Sequence, residues 1–143
     1  MMRKVMFIGK IGSGKTTLYQ RLVSKDLNYE KTQAIEFYEH IIDTPGEYLE
    51  NRGFYSALLV TSMEADVIAL VMDCKSCNNA FPPGFARMFN KPTIGILTKI
   101  DLIQHEQDCH DAEESLKLSG TDIIFKISSL KNQGVKKLIE FLQ

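Results

Sequence analysis

Two features of the sequence predict an α/β fold, in which helices cover both faces of a mostly parallel six-stranded sheet. Short apolar and β-branched runs alternate with longer segments of helical period. The longest apolar run, residues 67–72, contains no polar residue, which is typical of a strand buried on both faces. The 143 residues, of which 44% are hydrophobic and 24% charged, fit a single domain over residues 1–143.

Each element is predicted from its local pattern. The six predicted strands are residues 5–8, 35–37, 41–42, 67–72, 93–97 and 123–127. Helices are expected after the glycine-rich segment 9–14, over 48–63, up to 89 and over 102–118, and a last helix places Val135, Leu138, Ile139 and Leu142 on one face. In parallel α/β sheets the loops at the carboxyl ends of the strands bind the ligand, so the functional motifs are expected there.

Composition narrows the classes of partner. The formal net charge of −1 predicts no broad attraction to nucleic acid or to an anionic membrane. The N-terminal apolar run is too short for a signal peptide, and no apolar run is long enough to span a bilayer. Three cysteines, an odd number, suggest a reducing compartment. We therefore expect a cytoplasmic protein without a nucleic-acid or membrane partner.

A glycine-rich loop between the first strand and the first helix carries the strongest motif. The run Gly9-Lys10-Ile11-Gly12-Ser13-Gly14-Lys15-Thr16 matches G-x-x-x-x-G-K-[ST] without a mismatch. Such glycines let backbone N–H groups close round a phosphate chain, and the helix dipole adds positive potential. We expect Lys15 to act on the β- and γ-phosphates, Thr16 to ligate Mg²⁺, and Thr17 to lie beside the nucleotide. The alternative is a glycine-rich turn that merely precedes a helix.

A second motif follows the third predicted strand. Asp43 ends that strand and Gly46 lies three residues later, the D-x-x-G pattern. The carboxylate can hold Mg²⁺, usually through a water, and the Gly46 N–H can meet a γ-phosphate. Thr32 is a further candidate for the metal and the catalytic step, or else a solvated loop threonine. Glu47 can accept a proton from the attacking water, but it lies near the highly charged phosphates, so we expect slow turnover unless a partner or an arginine such as Arg52 neutralises the transition state. The alternative is a glutamate favoured at a helix start.

A third motif follows the fifth predicted strand. Thr98-Lys99-Ile100-Asp101 fits the [N/T]-K-x-D pattern that reads guanine, because one carboxylate accepts both the N1 and N2 hydrogens, a donor pair that adenine lacks. The stem of Lys99 can lie along the base. Ser128 and Ser129, after the last strand, resemble the last motif of GTPases, although Ser129 replaces the usual alanine. This resemblance implies that a backbone N–H of the segment meets guanine O6. The alternative for Thr98 to Asp101 is an ordinary helix cap.

Together the motifs resemble a small Ras-type GTPase domain reduced in length. More closely, the chain resembles the EutP/PduV family of bacterial ethanolamine- and propanediol-utilisation proteins. The resemblance rests on residues 9–18, 31–37, 43–48 and 98–101 and extends over essentially the whole chain. It implies a link to bacterial microcompartments, with shell or enzyme proteins as partners, and a nucleotide-binding or acetate-kinase activity.

Three functions follow from these motifs, all with Mg²⁺ and with GTP/GDP or alternatively ATP/ADP as ligand. The first is a GTP-binding switch or slow hydrolase. The second is a small-molecule kinase that passes a γ-phosphate to a carboxylate, although arginine, common in the lids of such kinases, occurs only four times. The third is a nucleotide-dependent partner-binding module. A zinc site at Cys74, Cys77, Cys109 and His110 is disfavoured, because the second pair lacks the usual two-residue spacing.

Overall fold

A five-stranded, wholly parallel sheet forms the centre of the fold in the computed structural model, which describes residues 2–23, 40–75 and 81–143. Its strands are β1 (Val5–Ile8), β2 (Ile41–Asp43), β3 (Val67–Asp73), β4 (Thr93–Thr98) and β5 (Ile123–Lys126). The order across the sheet is β2-β1-β3-β4-β5. The predicted α/β class with a parallel sheet is therefore confirmed.

Five α-helices and four short 3₁₀ turns connect the strands in the described part of the chain. The helices are α1 (Lys15–Val23), α2 (Glu47–Glu50), α3 (Tyr55–Ser62), α4 (His110–Ser119) and α5 (Val135–Leu142). The 3₁₀ turns cover Arg52–Phe54, Phe85–Met88, Ile100–Leu102 and Glu106–Cys109. None of these helices is long and apolar enough to cross a membrane.

Alternate residues of each central strand point into two separate cores. Val5 and Phe7 of β1 pack with α1 and α5 on one face of the sheet, whereas Met6 and Ile8 pack with α2, α3 and α4 on the other. Both faces are thus covered, which explains the continuous apolar runs of β1 and β3. The core stripe predicted for the last helix is confirmed, since Val135, Leu138, Ile139 and Leu142 are all buried in α5.

Within the described residues the sheet has five strands, where the sequence predicts six for the whole chain. The predicted strand at 35–37 and the candidate Thr32 lie outside the described residues. The other five predicted strands form as expected, with β2 and β3 each extended to an aspartate, Asp43 or Asp73, and β5 ending one residue early, at Lys126.

Two predicted helices are wrong in extent. The segment 48–63 is divided because Asn51 is extended (φ −126°, ψ 117°) and its side chain accepts the Gly53 N–H at 2.9 Å, so a 3₁₀ turn separates α2 from α3. In the segment 102–118 the α-helix begins only at His110. A 3₁₀ turn precedes it, because the Asp108 carboxylate accepts the N–H groups of Gln104 and His105.

The strand order places a crevice at the carboxyl edge of the sheet. The chain passes from β1 to β2 on one side and then to β3 on the other side of β1. Loops that leave β1 and β3 in opposite directions open a crevice at this point, where ligands of parallel α/β folds bind. The glycine-rich loop follows β1 directly and therefore lies at that position.

Candidate nucleotide-binding site

The glycine-rich loop has the conformation that its sequence predicts. It connects β1 to α1, and Gly12 and Gly14 have φ angles of +86° and +91°, a region that side chains with a Cβ rarely adopt. The Ser13 N–H closes the loop by donating to the Lys10 carbonyl at 3.1 Å. Helix α1 begins at Lys15, so its first N–H groups and its positive dipole end face the loop.

Lys15 joins the two sides of the cleft. Its ammonium group is largely buried, donates to the Thr44 carbonyl at 2.7 Å and forms an ion pair with Asp43 at 3.2 Å. The Thr44 hydroxyl in turn donates to the Phe7 carbonyl at 2.7 Å, which fixes the end of β2 against β1. The predicted phosphate-binding lysine and the predicted metal-binding carboxylate thus lie side by side.

The cleft itself has a volume of about 540 Å³. Its lining combines the phosphate loop and the end of β2: Lys10, Ile11, Gly12, Ser13, Gly14, Lys15, Thr16, Thr17, Asp43, Thr44, Pro45, Gly46 and Lys99. Gly46 is packed so tightly on the loop that a Cβ there would lie 2.5 Å from the Ile11 nitrogen. Only glycine allows this approach.

Two side chains that could ligate a divalent cation line this cleft. Thr16 is the second residue of α1 and is exposed, and Asp43 ends β2. A hydroxyl and a carboxylate are hard donors of the kind that Mg²⁺ prefers, so the residues present fit the ion. Glu47, the first residue of α2, is exposed. It follows Gly46 directly but is not among the residues that line the cleft.

Thr98 ties the end of β4 to the phosphate loop. It is buried, and its hydroxyl donates to the Ser13 carbonyl and lies 3.4 Å from the Met72 carbonyl. The side chain also packs on Gly14, where a Cβ would lie 2.8 Å from the Thr98 Oγ1. The threonine therefore makes the connection to the loop with a single hydroxyl group.

Lys99 spans from the base-reading motif to the phosphate loop. Its backbone is left-handed (φ 62°), and its ammonium group donates to the Gly12 carbonyl at 2.8 Å and pairs with Asp73 at 3.2 Å. Asp73, the last residue of β3, was not singled out from the sequence. Asp73 ends an apolar strand that pairs with β4, the strand directly before Lys99. This position is the signal that could identify it.

Asp101 lies beside a second pocket of about 260 Å³. The Ser128 hydroxyl donates to its Oδ1 at 2.7 Å, so the predicted base reader is held by the loop after β5. The pocket is lined by Gly14, Thr17, Thr98, Lys99, Asp101, Leu102, Ser129 and Leu130. Ser129 is buried, and its hydroxyl has no hydrogen-bond partner within the described residues.

Two of the three cysteines lie in the described part of the chain. Cys74 and Cys109 are buried there and form no disulfide within the described residues, and Cys77 lies outside those residues. The Cys74 thiol donates to the Lys99 carbonyl at 3.2 Å, and burial raises its pKa to about 11. Within residues 2–23, 40–75 and 81–143, no group of three or more histidine, cysteine or carboxylate side chains is placed to hold a metal ion.

Comparison with known proteins adds two curated relatives and one solved structure. A propanediol utilization protein, PduV of Citrobacter freundii, is 45% identical over 141 residues, which cover 99% of this chain and 93% of the relative. The probable acetate kinase EutP of Escherichia coli K12 is 31% identical over 144 residues, covering 99% and 89%. Translation elongation factor SELB of Methanococcus maripaludis, solved in complex with the GTP analogue GPPNHP, superposes with a TM-score of 0.65 at 21% identity, covering 98% of this chain and 32% of that one.

The family comparison accounts for nearly every residue. The model of the family described as "PduV-EutP: Ethanolamine utilisation - propanediol utilisation" matches residues 2–143. With a strand–loop–helix phosphate site and relatives matched over nearly their full length, this chain is a P-loop nucleotide-binding protein that belongs to the PduV-EutP family of propanediol and ethanolamine utilisation.

Proposed function

We propose that the chain binds a guanine nucleotide together with Mg²⁺ and works as a switch or a slow GTP hydrolase. The observation that carries the proposal is the arrangement of the two pockets. The pocket beside Asp101 shares Gly14, Thr17 and Lys99 with the phosphate cleft, so one ligand can occupy both. A nucleotide has this form, with phosphates at one end and a base at the other.

The chemistry of the second pocket favours guanine. Asp101 keeps lone pairs available after it accepts the Ser128 hydroxyl, and a carboxylate can take the N1 and N2 hydrogens of guanine together. Adenine presents no such pair of donors, and its binding would leave the carboxylate poorly satisfied. The superposition on an elongation factor solved with a GTP analogue is consistent with this choice.

Binding of the phosphates requires an exchange of partners at Lys15. In the structure its ammonium group pairs with Asp43 and donates to the Thr44 carbonyl. A triphosphate offers Lys15 more negative charge, and Asp43 is then released to hold Mg²⁺ with Thr16. The ion, when bound, neutralises charge on the β- and γ-phosphates.

Hydrolysis is expected to be slow because Glu47, the candidate proton acceptor, is poorly placed. Glu47 is exposed and stands outside the described lining of the cleft, and a carboxylate is repelled by a triphosphate. Gly46 can offer its N–H to the γ-phosphate from its contact with the loop. Movement of residues 43–47 when the γ-phosphate leaves would supply the switch, read by shell or enzyme proteins of a utilisation microcompartment.

Phosphoryl transfer to acetate is the second candidate. It is favoured by one observation, the name of the probable acetate kinase EutP, which is 31% identical over 99% of this chain. Acetate-dependent formation of GDP or ADP, with acetyl phosphate as the second product, would identify this activity and would displace the switch.

Calorimetry on nucleotide-free protein tests the proposal. GDP, GTP, ADP and ATP are titrated separately with Mg²⁺, and guanine nucleotides are expected to bind at least tenfold more tightly, which corresponds to about 1.4 kcal/mol. Equal affinities, or a preference for adenine, would show that Asp101 does not select guanine. The acetate-kinase function would then be favoured over the switch.

A further inference from the structure

Arg21 connects the helix of the phosphate loop to the loop of the base pocket. It lies in the last turn of α1, and its Nε donates to the Ser129 carbonyl. Its Nη2 donates to the Leu130 carbonyl at 3.1 Å. One guanidinium group therefore holds two consecutive carbonyl oxygens of the segment that follows β5, more than 100 residues away in the chain.

The same segment is held on its other side by different contacts. Ser128 and Gln133 exchange two backbone hydrogen bonds, each of 2.9 Å. The peptide that joins Ser128 to Ser129 is thus fixed through the Ser128 carbonyl, and the next peptide is fixed through the bond to Arg21. The Ser129 N–H lies in the first plane, so the bond from Gln133 sets its direction, and the bond from Arg21 holds the same residue from the other side, at its carbonyl.

This fixed residue faces the base pocket. Ser129 and Leu130 line the pocket beside Asp101, and the Ser129 hydroxyl is buried without a partner in the described residues. A buried polar group left without a hydrogen bond is costly, and a ligand in the adjoining pocket is one partner that can satisfy it. The segment clamped by Arg21 is therefore the one that meets the base.

We propose that Arg21 is a positioning residue for base recognition, which holds Ser129 and Leu130 where they can make the contacts that select guanine. The inference rests on the guanine-binding function proposed above. Arg21 itself is not among the residues that line either pocket. Arginine suits the task because its planar, permanently charged fork can donate to two acceptors at once, whereas lysine is a flexible point charge.

The test separates base recognition from phosphate binding. Arg21→Met keeps the apolar stem and removes both donors, Arg21→Lys keeps the charge, and Arg87→Met replaces an exposed arginine on the 3₁₀ turn Phe85–Met88 as a matched control. Affinities for GDP, ADP and inorganic tripolyphosphate, each with Mg²⁺, are measured for the wild type and all three variants. Thermal unfolding is recorded alongside.

Arg21→Met is expected to bind GDP about tenfold more weakly, a loss equivalent to one charge-assisted hydrogen bond, while affinities for ADP and tripolyphosphate stay within about twofold. Arg21→Lys should lie between, and Arg87→Met should match the wild type. An equal loss for all three ligands, or no loss, would show that Arg21 only stabilises the fold. If Arg21→Met does not fold, the ratio of GDP to ADP affinity in Arg21→Lys decides in the same way.

The outcome for the wild type is read separately. If the wild type shows no guanine preference, the proposed function fails, and the inference about Arg21 fails with it. If the wild type prefers guanine and both Arg21 variants keep the full preference, only the inference about Arg21 is overturned.

Discussion

Removal of the Thr98 hydroxyl is expected to loosen the phosphate loop while leaving the sheet intact. Thr98→Val keeps the volume and the β-branched shape of a buried residue at the end of β4. It deletes the donor to the Ser13 carbonyl, which spans 85 positions in the chain, together with the weaker contact to the Met72 carbonyl. No other side-chain contact of Thr98 is polar in the described residues, so the substitution isolates this hydrogen bond.

The expected magnitude follows from what the substitution leaves behind. A neutral hydrogen bond contributes about 1 kcal/mol, and a buried carbonyl without its donor adds a desolvation penalty, for a total of roughly 1–3 kcal/mol. For a domain of this size the unfolding temperature should fall by about 3–9 °C. Because the Ser13 peptide belongs to the loop that surrounds the phosphates, the affinity for GDP should also fall, by about fivefold.

Thr93→Val is the matched control at the other end of the same strand. The Thr93 hydroxyl donates to the Lys91 carbonyl, only two residues away, at 3.1 Å, and it is equally buried. Chemical denaturation and calorimetry are run on both variants. Both are expected to lose stability, but only Thr98→Val should lose GDP affinity. The reasoning is refuted if Thr98→Val is as stable as the wild type, or if the two variants bind GDP equally well.

Three further predictions concern single side chains. Lys15→Ala should abolish tight binding of Mg²⁺–GTP in calorimetry, and retained affinity would contradict the phosphate-site assignment. Ser129→Ala and Ser115→Ala each remove a buried hydroxyl that has no partner in the described residues. Both should raise the free energy of unfolding by up to about 1 kcal/mol. Only Ser129→Ala should alter nucleotide affinity. Because burial raises the pKa of Cys74 from its ordinary value of 9.0 to about 11, the unfolded chain loses this proton first, and stability should fall as the pH rises through that interval. In urea titrations Cys74→Ala should lack this part of the fall, and an unchanged pH profile would contradict the assignment.

The sequence predicted best what depends on neighbouring residues. The phosphate loop needs a strand, glycines at positive φ and a helix start within a dozen residues, and β1, Gly14 and α1 follow in that order. β1 and β3 are recognisable from the sequence because strands buried on both faces are apolar almost without interruption. The division of 48–63 had a local signal as well, since Asn51 and Gly53 favour a turn, but the surrounding apolar residues suggested a continuous helix.

What the sequence could not predict depends on contacts between distant parts of the chain. Nothing near Arg21 indicates that its guanidinium group reaches the carbonyls after β5, because backbone acceptors are the same at every residue. The pairing of Lys99 with Asp73 likewise follows from β3 and β4 being adjacent in the sheet. The 3₁₀ turn before α4, by contrast, has a local cause: it depends on the Asp108 carboxylate, whose pKa is lowered by the hydrogen bonds from the Gln104 and His105 N–H groups.

The most direct test of the account is to change the base reader and follow the change in base. Asp101→Asn replaces one acceptor of the carboxylate by an amide donor, which suits the 2-oxo group of xanthine in place of the 2-amino group of guanine. We expect Mg²⁺–XDP to bind Asp101→Asn more tightly than Mg²⁺–GDP does, with the order reversed in the wild type. Unchanged affinities for both nucleotides would show that Asp101 does not contact the base, and the guanine-binding function would be wrong.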